Sequence, residues 1–259
     1  MEKALLCVSF GTSVPEAEES IAAVENALRA AAPDRLLVRA YTSSMICRKL
    51  AGRGEPVLSV QEAFQMLADQ GVSDVLVQPT HLLRGSEYDK VRAEAALWRE
   101  RFSAVRLGAP LLAGTEDLRA FAGILDEAYP ARQGQALVLF GHGTDVFANM
   151  VYPALQTALH LLGRTDIVVG TVEGWPGFPE VLEQLRRQDR RQDRRQVHLV
   201  PLMLVAGDHA MHDMAGSGDS SWESRLEAEG YAVTCTMQGL GMLPAVQELY
   251  CRHMQAQQE

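Results

Sequence analysis

Short apolar runs alternate with longer amphipathic stretches along the whole chain. Ala4 to Phe10 (ALLCVSF) reads as a buried strand, followed by the turn-like Gly11-Thr12-Ser13. Pro15 to Ala30 reads as a helix, with Ile21, Val24 and Leu28 at helical spacing and Glu16, Glu18 and Glu19 near its positive end. Leu36 to Tyr41 is a second strand, and Val60 to Gln70 a second helix that Gly71 ends. Asp74 to Pro79, a helix over Tyr88 to Phe102, a short strand at Val105 to Leu107 and a helix over Asp117 to Ala128 continue the alternation. Strands that are apolar throughout and separated by helices predict parallel sheets covered on both faces.

The pattern then restarts. Ala136 to Phe140 (ALVLF) leads into Gly141-His142-Gly143-Thr144, which aligns with CVSF-GTS so that Ser9 faces Gly141 and Phe10 faces His142. Val151 to Leu162 supplies a helix, and Ile167 to Val172 a strand ending at Glu173, near the place of Ser43. Val197 to Val205 matches Val75 to Leu83, with Pro79 opposite Pro201 and Glu87 opposite His209. Trp98 and Trp222 follow at later positions in each half. The expectation is an α/β protein of two similar lobes, 1–128 and 129–259, each a parallel sheet flanked by helices. They would be related by an internal pseudo-twofold, with an active-site cleft between them. Ligands of such sheets sit beyond the carboxyl ends of the strands.

Three strands of the second half deliver ionisable groups at that end: His142 in LFGHGTD, Glu173 in VGTVEGWPG and His209 in LMLVAGDHAMHDMAG. Two imidazoles and a carboxylate on one rim suit a divalent ion with open coordination positions. A lone histidine after an apolar run is more often a hydrogen-bonded structural group; three groups at three equivalent strand ends favour the metal reading. Other chemistries lack their marks. No GxSxG elbow, no GxGxxG and no Walker A sequence occurs, so hydrolase, dinucleotide and NTP sites are not expected.

Composition narrows the class. The 259 residues are 47% hydrophobic and 22% charged, with a net charge of −9. This excludes a disordered chain. Arg186 to Gln196 (RRQDRRQDRRQ) carries a local +4, so the remainder holds 18 Lys+Arg against 31 Asp+Glu. Non-specific nucleic-acid binding is therefore not expected. The run itself reads as a solvated helix extension or loop rather than a docking patch. No window reaches a membrane span, and the N-terminus lacks the form of a secretory signal, so a cytoplasmic location is expected. Cys7, Cys47, Cys235 and Cys251 show no CxxC spacing and read as core residues; the ten Met read as core filler.

With VSFGTS, PTHLLRGSEYD, FGHGTD, TVEGWPG and LMLVAGDHAMHDMAG in this order, the chain resembles the anaerobic sirohydrochlorin cobaltochelatases of the cobalamin pathway. These are class II tetrapyrrole chelatases related to ferrochelatase. The resemblance runs nearly end to end. It implies a lyase-class enzyme that inserts Co2+ into sirohydrochlorin without nucleotide or a further protein subunit. It implies His142, Glu173 and His209 as metal-binding residues, His142 also as acceptor of pyrrole protons, and Glu87 as a further catalytic carboxylate.

The residue chemistry agrees. A neutral imidazole can accept a proton at cellular pH, and a mixed His/Glu set holds Co2+ or Fe2+ without a thiolate's grip. Fe2+ insertion giving siroheme, or a non-catalytic tetrapyrrole or metal carrier, are the alternatives. The substrate's many carboxylates call for local donors in an acidic protein; Arg53 and Arg84, with Arg48 and Lys49, are the candidates or else solvent-facing charges, and Phe10 is either an apolar wall for the macrocycle or a core residue. His212 stands where the family commonly has Asn and is either an extra ligand or a polar replacement. His81 also matches a family position and reads as a strand-end structural residue or a supporting partner behind the ligands. A homo-oligomer is left open.

Overall fold

The computed structural model describes residues 2–192 and 195–257. The first half runs β1 (Glu2–Ser9), α1 (Pro15–Ala31), β2 (Leu36–Tyr41), α2 (Ser44–Ala51), α3 (Val60–Asp69), β3 (Val72–Pro79), α4 (Ser86–Trp98), β4 (Ala104–Leu107) and α5 (Thr115–Ala128). The second runs β5 (Gln135–Gly141), α6 (Val151–Leu161), β6 (Ile167–Thr171), α7 (Phe178–Gln192), β7 (Gln196–Pro201), α8 (Trp222–Ala228), β8 (Ala232–Cys235) and α9 (Pro244–Gln255).

Two four-stranded parallel sheets result, ordered β2-β1-β3-β4 and β6-β5-β7-β8. The central strands are buried on both faces, from Ala4 to Ser9 and from Ala136 to Gly141, which is why they read as unbroken apolar runs. The ladders carry the internal repeat in their register. Val8 pairs with Pro79 in one sheet, Phe140 with Pro201 in the other; Ser9 pairs with Tyr41, Gly141 with Thr171. That register places Ser43 and Glu173 at equivalent positions, two residues beyond Tyr41 and Thr171.

Each sheet has its own core. Around β1, Phe64 stacks on Trp98 at 5.9 Å. Around β5, Trp222 meets Phe140 edge-on at 4.9 Å. The two Trp residues are thus core aromatics in both halves. The helices start where local chemistry permits. Ser59 and Glu62 form a reciprocal capping box on α3, and Gly71 leaves that helix with φ +73°. Four helices escape the periodicity reading: α2, α7, α8 and α9. Two of these, α2 and α8, are eight residues or fewer, too short to show a repeat, and each is set by a serine cap, Ser43 or Ser221.

Packing groups the chain as Met1–Ala113 with Gly241–Glu259, and Gly114–Leu240. This differs from the 1–128 and 129–259 division expected from the sequence. The reason is that each half's last helix packs with the other half: α5 lies against α6, and α9 lies against α1. α9 buries Val246, Leu249, Tyr250 and Met254, and the Tyr250 hydroxyl donates to the Thr80 carbonyl at 2.7 Å.

The arginine-rich run continues α7 as far as Gln192; residues 193 and 194 lie outside the described residues. Arg186 pairs with Glu229, Arg187 with Glu183 and Arg195 with Asp189, so these cations are matched locally. Among the described residues no helix is long and apolar enough to cross a membrane. The four cysteines are free, and burial pushes each thiol's pKa up, Cys235 to about 12. At neutral pH they stay protonated and offer poor metal ligands.

Candidate metal centre

His142, Glu173 and His209 converge beyond the ends of β5, β6 and β7. Each offers one ligand atom, and these atoms lie within 4.8 Å of one another. Ligands on opposite sides of an ion with bonds of about 2.1 Å are roughly 4 Å apart, so small side-chain adjustments seat one ion. His142 Nε2 lies 3.6 Å from a Glu173 oxygen. The two imidazole rings are 4.6 Å apart and nearly perpendicular.

The backbone dictates this convergence. After β5 and β6, the Val172 amide donates to the Gly141 carbonyl at 3.0 Å and the Glu173 amide to the His142 carbonyl at 2.8 Å. The ladder therefore continues past the sheet and holds His142 beside Glu173. Gly143 turns the chain with φ +87°, and a Cβ there would stand 2.5 Å from the Gly174 nitrogen. The two loops touch backbone to backbone, which only glycine allows. Asn149 ties them from behind: its Oδ1 accepts from the Thr144 amide at 3.1 Å, and its Nδ2 donates to the Trp175 carbonyl. Tyr152 is buried, and its hydroxyl accepts from the Gly143 amide at 3.2 Å.

Hydrogen bonds select the tautomers. His142 Nδ1 lies 3.0 Å from the Gly143 carbonyl oxygen, which can only accept. His209 Nδ1 lies 2.6 Å from a carboxylate oxygen of Asp213. Both rings therefore carry the proton on Nδ1, and both Nε2 lone pairs are free for an ion. Side-chain exposures of 43% for His142, 59% for Glu173 and 37% for His209 leave the rim open to a large partner molecule. A set of three protein ligands would also leave coordination positions open for exchange.

His212 is not part of this cluster. The turn from Ala210 to Met214 is wound as a π-helix, with the Ala215 amide bonded to the Ala210 carbonyl. In that wider turn a three-residue step carries His212 off the face of His209, and its Nδ1 donates to the Asp208 carbonyl at 3.0 Å. The same turn brings Asp213, a residue the sequence reading missed, under His209. The His-x-x-x-Asp spacing was its signal. Asn149 carried no comparable mark, since its role depends on two loops meeting.

The remaining candidates, Phe10, Arg53, Arg84 and Glu87, all belong to the first packing unit. Phe10 is 47% exposed, so it is not a core residue. Arg53 donates to the Ser13 carbonyl at 2.7 Å, while Arg84 is exposed on the loop after β3. Arg48 and Lys49 are exposed on α2. Glu87 sits in the first turn of α4, paired with Lys90. Burial raises its pKa, but the Lys90 and Thr42 hydrogen bonds outweigh it and hold the carboxyl below its usual value. One Glu87 oxygen is buried without a partner, as is His81 Nδ1. His81 Nε2 lies 3.5 Å from the Thr42 hydroxyl. Burial brings the His81 pKa down to about 4, so this ring is neutral near pH 7.

Residues 3–259 match the family model described as cobalt chelatase (CbiK). The chain is 40% identical over 259 residues to the sirohydrochlorin cobaltochelatase of Salmonella typhimurium, covering 98% of this chain and 96% of that one. It is 31% identical over 261 residues to the sirohydrochlorin cobaltochelatase CbiKC of Nitratidesulfovibrio vulgaris, covering 98% and 90%. In fold it resembles SirB from Bacillus subtilis with Fe3+, at a TM-score of 0.65 and 15% identity, over 99% of this chain and 96% of that one. It also resembles CbiX, described as the terminal enzyme for biosynthesis of siroheme in denitrifying bacteria, at a TM-score of 0.56 and 14% identity, over 98% of both chains.

Proposed function

We propose, from the premise that the chain belongs to the cobalt chelatase (CbiK) family, that it inserts Co2+ into sirohydrochlorin as a step of anaerobic cobalamin biosynthesis. The observation that carries this reading is the meeting of two imidazoles and one carboxylate at an open rim, with one ligand atom of each within 4.8 Å of the others. Such a set can hold a divalent ion and then release it.

Insertion places the ion on four pyrrole-type nitrogens and frees two protons. Glu173 attracts the cation and supplies an oxygen ligand. His142 and His209 supply nitrogen ligands of intermediate softness, suited to Co2+ and less retentive than thiolates. As the ion moves to the macrocycle, the His142 Nε2 lone pair is freed and takes one pyrrole proton. Glu173 relays protons to water. Glu87, ionised and partly buried, is the candidate for the second proton or for metal attraction. Arg53 and Arg84 are the candidate donors to the substrate's carboxylates, and Phe10 its candidate apolar wall. The sequence holds no Walker A motif, in keeping with a reaction that uses no nucleotide. A cytoplasmic setting belongs to the same proposal, supported by four unpaired cysteines.

The test is the absorbance change of sirohydrochlorin under anaerobic conditions with Co2+ or Fe2+, against the uncatalysed rate. Acceleration with Co2+ exceeding that with Fe2+ is expected. Equal or greater acceleration with Fe2+ would move the reading to siroheme formation, and binding without acceleration would make the protein a carrier.

A further inference from the structure

His142 and His209 face the same point but are backed differently. The Nδ1–H of His142 donates to its neighbour's neutral carbonyl at 3.0 Å. The Nδ1–H of His209 donates to the Asp213 carboxylate at 2.6 Å. A hydrogen bond to an ionised acceptor is shorter and roughly twice as strong as one between neutral groups. A carboxylate behind a ligating imidazole fixes the ring's tautomer and strengthens its lone pair as a donor.

Asp213 is well placed for that task. It stands four residues beyond His209 on one turn, and the buried Ala210 and Met214 fasten that turn to the core. Among the described residues, His209 is its sole ion-pair partner. Among the described residues no Lys or Arg is paired with the carboxylate.

We propose that Asp213 is a positioning residue that makes His209 the anchoring metal ligand, so that His142 is the ligand that yields. The ring with the neutral backing gives up the ion first and is free to take a pyrrole proton, while His209 keeps hold. The identity of the ion rests on the cobalt chelatase reading; the tautomer of His209 does not.

The full-length protein is compared with Asp213→Asn and Asp213→Ala, by 15N shifts of the His209 ring without metal and by calorimetric titration with Co2+. The parent should show His209 as a single Nδ1–H form. Both variants should lose that single form, with far-UV circular dichroism unchanged, and their Co2+ dissociation constants should rise about 10- to 100-fold. In a His209→Ala background the Asp213→Ala change should weaken binding no further. Should Asp213→Ala unfold, Asp213→Asn, which keeps shape and volume, decides. Unchanged tautomer with unchanged affinity would overturn the assignment. So would an equal loss in the His209→Ala background. If the parent itself binds no Co2+, the cobalt reading falls, and the ring shifts alone decide the role of Asp213.

Discussion

Burial fixes the charge of His81, and this gives the fold a pH dependence of its own. Its folded pKa of about 4 lies below the ordinary 6.5. Between those values the unfolded chain binds more protons than the folded one, so stability is full above about pH 6.5 and falls as pH drops toward 4. At about 1.4 kcal/mol per pKa unit, the contribution reaches up to about 3 kcal/mol. Urea unfolding across that range should show the loss, and His81→Gln should flatten it. An equally steep slope in the variant would contradict the assignment. At the metal centre, the unequal backing of the two imidazoles predicts unequal losses. His209→Ala should weaken Co2+ binding at least tenfold more than His142→Ala, whereas His142→Ala should cost more in turnover at saturating metal; titration and initial rates measure the two. The three candidate ligands were legible because each follows a buried strand, His142 and Glu173 within two residues of its end and His209 after a longer loop. Asp213 left only its four-residue spacing from His209 as a mark, and that spacing does not announce the π-wound turn that brings the two together.

At the scale of elements, the site is made by loops that the strands carry to one edge. Most strands and long helices were legible, since buried parallel strands are apolar throughout and the longer helices keep a 3.6-residue repeat. The short capped helices and β8 were not, being too brief to show a period. The closeness of the Gly143 and Gly174 backbones was equally hidden, being a contact between segments some thirty residues apart in sequence. It has a direct consequence. Gly143→Ala meets both a positive φ and a Cβ only 2.5 Å from the Gly174 nitrogen. The backbone strain alone costs about 1–3 kcal/mol, and relieving the clash must part the His142 and Glu173 loops. Co2+ affinity should fall at least tenfold. Gly163→Ala shares the backbone term, with φ +86°, but nothing lies within 4 Å of its added methyl. That variant should lose stability while keeping Co2+ affinity, and a calorimetric titration of both separates strain from site geometry.

The molecule as a whole is a repeated α/β unit whose repeat is written into both ladders, Val8 with Pro79 and Phe140 with Pro201. The repeat was visible in the sequence; the exchange of the last helices was not, because α5 shows an apolar face without saying which core it meets and α9 escaped the reading. This packing predicts where a distant change is felt. Tyr250→Ala removes a fully buried ring from α9 and should cost about 3–5 kcal/mol. Hydrogen exchange should then rise in β1 to β3, with which α9 is grouped, more than in β5 to β7. The reverse order would contradict the grouping. The function assigned to this architecture rests on its metal centre, and one measurement addresses it directly: the anaerobic rate of Co2+ insertion into sirohydrochlorin at limiting metal, for the parent and for His142→Ala, Glu173→Gln and His209→Ala. The parent should exceed the uncatalysed rate, and each variant should fall at least tenfold below it. A parent rate equal to the uncatalysed one, or three variants as fast as the parent, would contradict the account.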